Sequence, residues 1–226
     1  MAELTLLTYN VRGLRDDVGA LVRVVRESGA HLVAMQETPK IFRWRTRTAE
    51  LARRCGMVVV TGGAGAAGNL LLADLSLRVH ATRKVFFPQT PGLHLRGAAV
   101  AEVSLDGRRV TVVGTHLSLR AEERARQARM LLDLAGADGL PAVLAGDLNE
   151  EPGGVVSDIL AGRWVDAAVA AGDPGTPTFP ARGPRRRIDY VWSDPRLAVR
   201  RHSVLDSADA RVASDHLPVR VTLDLA

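Results

Sequence analysis

The chain is poor in cysteine, lysine, aromatic residues and long apolar runs. A single cysteine, Cys55, excludes an intramolecular disulfide, and no apolar run is long enough to cross a bilayer. The first residues lead directly into a strand-like run, without a basic and then apolar signal segment. We therefore expect a cytoplasmic protein without stable membrane association, and we expect it to be a monomer.

Arginine carries most of the positive charge. The formal net charge is +5, and only Lys40 and Lys84 are lysine. Arginine favours bidentate recognition of phosphate, although a genome-wide preference for arginine codons would give the same composition. If several acidic residues bind a metal, the remaining surface is more positive than this sum, which favours a polyanionic substrate. The aromatic content of 4% argues against extensive base stacking on single strands.

The apolar pattern predicts one α/β domain over residues 1–226. With 46% hydrophobic residues, a chain of this length can fill one large core. Helical spacing covers residues 18–29, 44–54, 120–135 and 153–161, and residues 62–68 form a small-residue loop that we interpret as a flexible turn. Strand-like runs cover residues 4–11, 32–35, 57–61, 69–73, 77–82, 98–105, 109–115, 188–192 and 197–205. One further run ends at Gly146, and the last run of the chain continues through Val221. Since strands alternate with helices in some places and follow one another in others, we expect a mixed sheet.

Polar side chains follow several of these strands. The apolar run that stops at Gly146 is followed by Asp147 and Asn149, which would leave the same face of an extended backbone. A turn held by local hydrogen bonds would also explain this pair. Strand ends are where sites assemble in open α/β sheets. The other polar residues at element ends are Asn10, Glu37, His116, Asp189, Asp215 and His216.

These residue types favour a hard divalent cation. No Gly-x-Ser-x-Gly motif occurs, and Cys55 has no motif around it, so nucleophilic catalysis has no candidate. Singly, His116 could be a buried structural histidine, Glu37 a solvated loop residue and Asp215 part of a turn. Jointly, their carboxylate and amide oxygens favour Mg²⁺ or Mn²⁺ over zinc, because neither a soft cluster nor closely spaced histidines are present.

An ordered set of short motifs resembles the endonuclease/exonuclease/phosphatase superfamily. The similarity runs from about residue 4 to residue 221. It implies a four-layer sandwich of two mixed β-sheets flanked by helices, with the site between the sheets, and divalent-metal-dependent hydrolysis of a phosphoester. The motifs are Thr-Tyr-Asn-Val-Arg-Gly, Gln-Glu, Gly-Asn-Leu-Leu-Leu, Arg-Gly-Ala, Gly-Thr-His-Leu, Gly-Asp-Leu-Asn, Thr-Phe, Arg-Ile-Asp-Tyr-Val and Ser-Asp-His.

The resemblance implies a role for each matching residue. Glu37 would be the principal Mg²⁺ ligand, with Asn10 and Asp215 nearby. Asp147 would position or deprotonate the attacking water, and Asn149 would hold the phosphate or that water.

The resemblance also places two histidines on the phosphate. Asp189 would orient His216, whose imidazolium would contact a phosphate oxygen or assist proton transfer. His116 would act from the opposite side as a second hydrogen-bond donor or general acid.

Three further residues would contact substrate phosphate or support the site. Arg96 would lie at the rim, and Arg187 belongs to a triple-arginine run beside Asp189. Asn69 occupies the place where pancreatic-type deoxyribonucleases carry a glutamate that orients the equivalent of His116. An amide there stabilises an imidazolium less well.

Three branches of the superfamily fit less well. His116 counts against the apurinic-site endonucleases, and the lack of a Cys-Asp-Arg motif counts against the inositol-polyphosphate 5-phosphatases. Secreted sphingomyelinases would need an export signal. Three possibilities remain: a nuclease or nucleotide phosphodiesterase acting on nucleic acid, a phosphatase or phosphodiesterase of a lipid head group or small phosphorylated metabolite, and a non-catalytic nucleic-acid-binding domain.

Overall fold

The computed structural model describes residues 2–136, 139–173 and 175–225. In these ranges the strands are β1 (Ala2–Asn10), β2 (Leu32–Gln36), β3 (Val58–Gly63), β4 (Asn69–Ala73), β5 (Arg78–Phe86), β6 (Gly97–Leu105), β7 (Arg108–His116), β8 (Ala142–Asp147), β9 (Val165–Asp166), β10 (Asp189–Ser193), β11 (Ala198–Val204) and β12 (Val219–Leu225). The helices are α1 (Val18–Glu27), α2 (Trp44–Cys55), α3 (Ala121–Gly136), α4 (Val155–Ala161), α5 (Ala167–Ala170) and α6 (Ala210–Ala213).

The strands form two mixed sheets of six strands each. The first has the order β11-β12-β1-β2-β4-β3, and the second has the order β5-β6-β7-β8-β10-β9. Each sheet contains one parallel pair, β1 with β2 and β7 with β8, while the other pairings in the described residues are antiparallel. The predicted sandwich of two mixed sheets flanked by helices is therefore confirmed.

Alternating side chains build the layers of the sandwich. One set of strand side chains fills a core between the two sheets, and the opposite set packs outward against helices. The outward faces pack on α1, α2 and α6 on one side and on α3 and α4 on the other. The core between the sheets includes Leu6, Ala34, Leu71, Val112, Ala145, Val191 and Val221.

Glycine is needed at two places in this framework, one where the sheets pack together and one in a hairpin turn. A Cβ at Gly114 would lie 2.9 Å from the Leu71 side chain, so glycine allows the two sheets to approach there. Asp106 and Gly107 have φ values of 49° and 78°, as a two-residue hairpin turn requires, and the predicted hairpin is confirmed.

One predicted segment differs from the structure. The sequence predicts a flexible turn over residues 62–68, but Gly62 and Gly63 end β3, and residues Ala64–Ala66 form a short 3-10 helix with Ala66 buried. Helix α2 begins and ends close to its predicted bounds, and Cys55 is buried at its end, where burial raises the pKa of the thiol to about 11. None of the helices in the described ranges is long and apolar enough to cross a membrane.

Candidate active site

Strand register aligns three of the predicted residues in one row. His116 of β7 is the register partner of Asp147 of β8, and Asp147 is the register partner of Asp189 of β10. In the other sheet, Asn10 at the end of β1 pairs with Gln36 at the end of β2. The two sheets therefore present their polar strand ends along the same edge of the sandwich.

The buried carboxylate of Asp147 lies at the centre of the site. Its Oδ2 accepts a hydrogen bond from Asn10 Nδ2 at 3.0 Å. The same oxygen lies 3.3 Å from His116 Nε2 and 3.7 Å from His216 Nε2. Asn10 Nδ2 also donates to Glu37 Oε1 at 3.3 Å, which connects the two carboxylates. The structure thus places three of the other predicted residues around one oxygen atom of Asp147, and Asn10 links this group to Glu37.

Asp189 and His216 form a buried carboxylate–imidazole pair. Asp189 Oδ2 lies 2.9 Å from His216 Nδ1 and accepts a hydrogen bond from the Thr178 hydroxyl at 2.6 Å. The Phe179 ring packs against the imidazole, with 4.8 Å between ring centroids. Burial alone would lower the pKa of His216, but the charge and hydrogen bond of Asp189, with help from Asp147, raise it to about 9. His216 is therefore an imidazolium at neutral pH.

His116 has the opposite charge state. Burial lowers the pKa of His116 to about 3, and the Asp147 carboxylate only partly offsets this effect. Asn149 Nδ2 donates to the Leu117 carbonyl at 3.0 Å and lies 2.9 Å from His116 Nε2. Because an amide nitrogen only donates, Nε2 accepts and the proton of the neutral ring is on Nδ1. Nδ1 lies 3.9 Å from Glu37 Oε1.

Asn149 reaches this position through a turn. Its φ of 53° is left-handed, and its N–H donates to Asp147 Oδ1 at 2.9 Å. The extended backbone with a shared face, which the sequence predicts for this pair, is therefore wrong: the strand ends at Asp147, and a local turn joins the two side chains. The alternative interpretation, a turn held by local hydrogen bonds, describes the backbone of this pair. The amide nitrogen of Asn149 faces His116.

The predicted metal ligands occupy two flanks of Asp147. Glu37 follows β2 with a φ of 55°, and its side chain is 45% exposed. Asp215 Oδ2 lies 3.3 Å from Arg12 Nε. The amide oxygen of Asn10 accepts from the Arg12 backbone N–H, so its nitrogen faces the carboxylates. In this arrangement Glu37 presents the most accessible carboxylate.

The residues predicted to contact substrate phosphate differ in placement. Arg96 lines the same depression as Glu37 and His116, and its buried Nε has no hydrogen-bond partner among the described residues. Asn69 Nδ2 donates to the backbone carbonyls of Ala66 and Gly97, so its side chain joins these two backbone segments.

The prediction for Arg187 is not supported by its placement. The side chain is 3% exposed and makes two hydrogen bonds to Asp166, at 2.6 Å and 2.7 Å. Its guanidinium also lies over the Tyr190 ring, 4.4 Å from the centroid. The rest of the triple-arginine run is exposed, with Arg186 bonded to Glu151. Arg187 is therefore a buried structural cation.

Sequence reasoning missed Thr178, although it lies in the matched Thr-Phe motif. Besides its bond to Asp189, the hydroxyl accepts from the Ile188 and Asp189 backbone N–H groups at 3.2 Å and 3.3 Å. It also missed Ser214, whose hydroxyl donates to the Asn10 carbonyl at 2.7 Å and so joins two distant segments of the site. The presence of a hydroxyl in a motif does not reveal its role, because its hydrogen-bond partners depend on the fold.

Two depressions flank the candidate site. One, of about 560 Å³, combines acidic Glu37 with basic and imidazole side chains; the other, of about 380 Å³, borders Asp215. The charged and imidazole residues of the first are Arg15, Glu37, Lys40, Arg47, His94, Arg96 and His116. Those of the second are Arg12, Asp16, Arg182, Arg211 and Asp215. An anionic substrate would find cationic side chains on both sides of Asp147.

The site also contains groups suited to a divalent cation. Asp147, Asp189 and His216 each offer a ligand atom, and these atoms lie within 4.8 Å of one another. The second oxygen of Asp189 is buried without a hydrogen-bond partner in the described chain. Carboxylates unpaired with lysine or arginine in a buried site are costly, and a hard cation offsets that cost.

Three solved structures share the fold over essentially the whole chain. An endonuclease/exonuclease/phosphatase from Bacteroides vulgatus has a TM-score of 0.85 and 17% identity, covering 100% of each chain. D. rerio TDP2 complexed with single strand DNA product has a TM-score of 0.82 and 18% identity, covering 99% of this chain and 100% of that one. A mannosyl-6-phosphatase from Bacteroides thetaiotaomicron has a TM-score of 0.82 and 18% identity, covering 98% of this chain and 99% of that one.

The sequence comparison agrees with the fold. Among curated proteins none matches this sequence. The model of the endonuclease/exonuclease/phosphatase family, however, matches residues 7–216, which include every residue of the site described above. This chain therefore belongs to the endonuclease/exonuclease/phosphatase family, whose hydrolases act on phosphoester bonds.

Proposed function

We propose that this protein is a divalent-metal-dependent phosphodiesterase that hydrolyses nucleic acid. The observation that carries the proposal is the surroundings of Asp147 Oδ2, which faces one neutral and one protonated imidazole and the amide of Asn10. A carboxylate base beside a fixed cationic donor is the arrangement that water attack on an anionic phosphoester requires.

Each side chain has a distinct part in this proposal. Asp147 accepts a proton from the attacking water. His216, held as an imidazolium by Asp189, donates Nε2–H to a phosphate oxygen, where it stabilises developing negative charge. His116 is neutral and donates from Nδ1, so of the two roles expected for it the hydrogen-bond donor is favoured over the general acid.

We propose Glu37 as the principal metal ligand, with Asn10 and Asp215 nearby. Its carboxylate is accessible, whereas Asp189 Oδ2 bonds to Thr178 and His216 and the other oxygen of Asp189 is buried. An imidazolium has no lone pair for a metal, which argues against a site centred on His216. A bound Mg²⁺ or Mn²⁺ would neutralise phosphate charge and stabilise the leaving oxygen.

Nucleic acid is the substrate class that the surroundings favour. Arginines line both depressions, so phosphates on either side of the scissile bond would meet cations. The net charge of +5 favours a polyanion as well. One similar structure holds a single strand DNA product, which supports the proposal by analogy of fold.

Hydrolysis of a small phosphorylated metabolite or lipid head group is the second candidate. The similar mannosyl-6-phosphatase favours it, and the depression of about 560 Å³ is large enough for a small phosphorylated molecule. Such a substrate has one phosphate group, so its binding should depend weakly on salt, whereas binding of nucleic acid should fall steeply.

The test is hydrolysis of single-stranded DNA, plasmid, RNA, bis-p-nitrophenyl phosphate and a sugar phosphate, each with Mg²⁺, Mn²⁺ or chelator. We expect metal-dependent cleavage of nucleic acid with a steep salt dependence. Glu37→Gln should raise the Mg²⁺ concentration needed for half-maximal rate, whereas Asp147→Asn should lower turnover with metal affinity retained. Cleavage of the sugar phosphate alone, or full turnover by Asp147→Asn, would contradict the proposal.

A further inference from the structure

Two large apolar side chains are exposed beside the active site. Ile41 is 80% exposed and Phe42 is 84% exposed, in the segment that leads from the Glu37 turn into α2. Ile41 borders the same depression as Glu37 and His116. Arg43 has a φ of 55°, which turns the chain sharply at the start of the helix. Single exposed apolar residues are common, but an adjacent pair at the rim of a site indicates an interaction.

Phe42 lines a third depression, of about 400 Å³, on the flank of α2. Its apolar lining residues are Leu14, Val18, Phe42 and Leu51. Its rim carries Arg43, Arg47 and Arg54. We refer to it as the Phe42 depression.

The Phe42 depression adjoins the depression that contains Glu37 and His116. Leu14 and Arg47 line both the Phe42 depression and the one that contains Glu37 and His116. A ligand that extends from the Glu37 depression past Leu14 and Arg47 would reach Phe42.

We propose that the Phe42 depression binds a nucleobase of a single-stranded substrate, adjacent to the phosphate cleaved at Asp147. The inference rests on the proposed function, because it takes nucleic acid as the substrate. The Phe42 ring stacks on the base, and the arginine rim contacts the flanking phosphates.

The polar lining favours a base over a lipid surface. Thr46 and Glu50 line the depression together with the apolar residues. A carboxylate accepts hydrogen bonds from the N–H groups of bases, including N3–H of thymine, whereas the phosphate of a lipid head group offers it no donor. Arg53 Nη2 donates to Glu50 at 2.8 Å, in an exposed pair three residues apart on α2. Charge complementarity therefore commits this depression to nucleotides.

The experiment is fluorescence anisotropy with the full chain, in chelator so that no turnover occurs. The probes are a labelled oligothymidylate and the same backbone without bases. We expect Phe42→Ala to weaken oligothymidylate binding by about five- to one hundred-fold, the range for loss of one base–aromatic stack. Phe42→Trp should restore it. Leu75→Ala, at a side chain 86% exposed on the β4–β5 turn, is the matched control and should bind as the wild type does.

The abasic probe separates stacking from a general effect on the surface. If the inference is correct, the wild type and Phe42→Ala should bind the abasic backbone equally. Equal weakening on both probes, or no effect on either, would overturn it. Phe42-dependent sedimentation with phosphatidylglycerol vesicles, with oligonucleotide binding unchanged, would also overturn it. Failure of the proposed function would give a different result: the oligonucleotide would still bind through Phe42, but it would not be cleaved with any metal.

Discussion

Replacement of Asp189 by asparagine tests how the site keeps one histidine charged. The introduced amide would retain a bond to the Thr178 hydroxyl but lose the charge that raises the pKa of His216 to about 9. Burial lowers the pKa of His216, and without the charge of Asp189 less would oppose that effect. We therefore expect the pKa of His216 to fall to about 6.5 or below. At pH 8 a group with a pKa of about 9 is about 90% protonated, whereas one of about 6.5 is about 3% protonated.

The expected loss of turnover at pH 8 is therefore about thirty-fold from protonation alone. Histidine NMR titration measures the pKa, and the pH dependence of kcat should show its alkaline limb shifted to lower pH. Asp173→Asn is the matched control, since Asp173 Oδ2 lies 3.1 Å from His202 Nδ1 in a second carboxylate–imidazole pair. It should change the titration of His202 only. A His216 that still titrates near 9 in the Asp189→Asn protein would refute the assignment of its charge to Asp189.

Two further predictions concern stability. Arg187→Ala should lower the free energy of unfolding by about 3 kcal/mol, because it leaves Asp166 buried without its partner, and urea denaturation should show no comparable loss for Arg185→Ala. In chelator, stability should also decrease as the pH falls from about 6.5 toward about 3, by at most about 1.4 kcal/mol per pH unit, because the unfolded state binds a proton that buried His116 does not. His116→Gln should flatten this slope, and an unchanged slope would contradict the low pKa of His116.

The sequence identifies the strand ends well. Apolar runs bounded by glycine and polar residues set the positions of Asn10, Glu37, His116 and Asp147, because a run buried on both faces admits little ambiguity. Their convergence needed the resemblance to a known family, since periodicity does not say which strands are neighbours.

Other features depend on long-range contacts that a sequence pattern does not contain. Arg187 adjoins Asp189 in sequence, but its partner, Asp166, lies on a two-residue strand. Asn149 adopts a left-handed turn, so alternation along a strand does not describe it. The charge difference between His116 and His216 arises from burial and from one carboxylate. Each depends on which groups the fold places together.

The alignment of His116, Asp147 and Asp189 across three neighbouring strands has a consequence for how this chain tolerates change. Their spacing is set by the backbone hydrogen-bond ladder, so an insertion within β8 would shift every one of these pairings by a residue and turn side chains to the wrong face. Insertions in the loops that follow the strands would leave the ladder intact. New ligand preferences can therefore arise at the rim while the reacting groups keep their places.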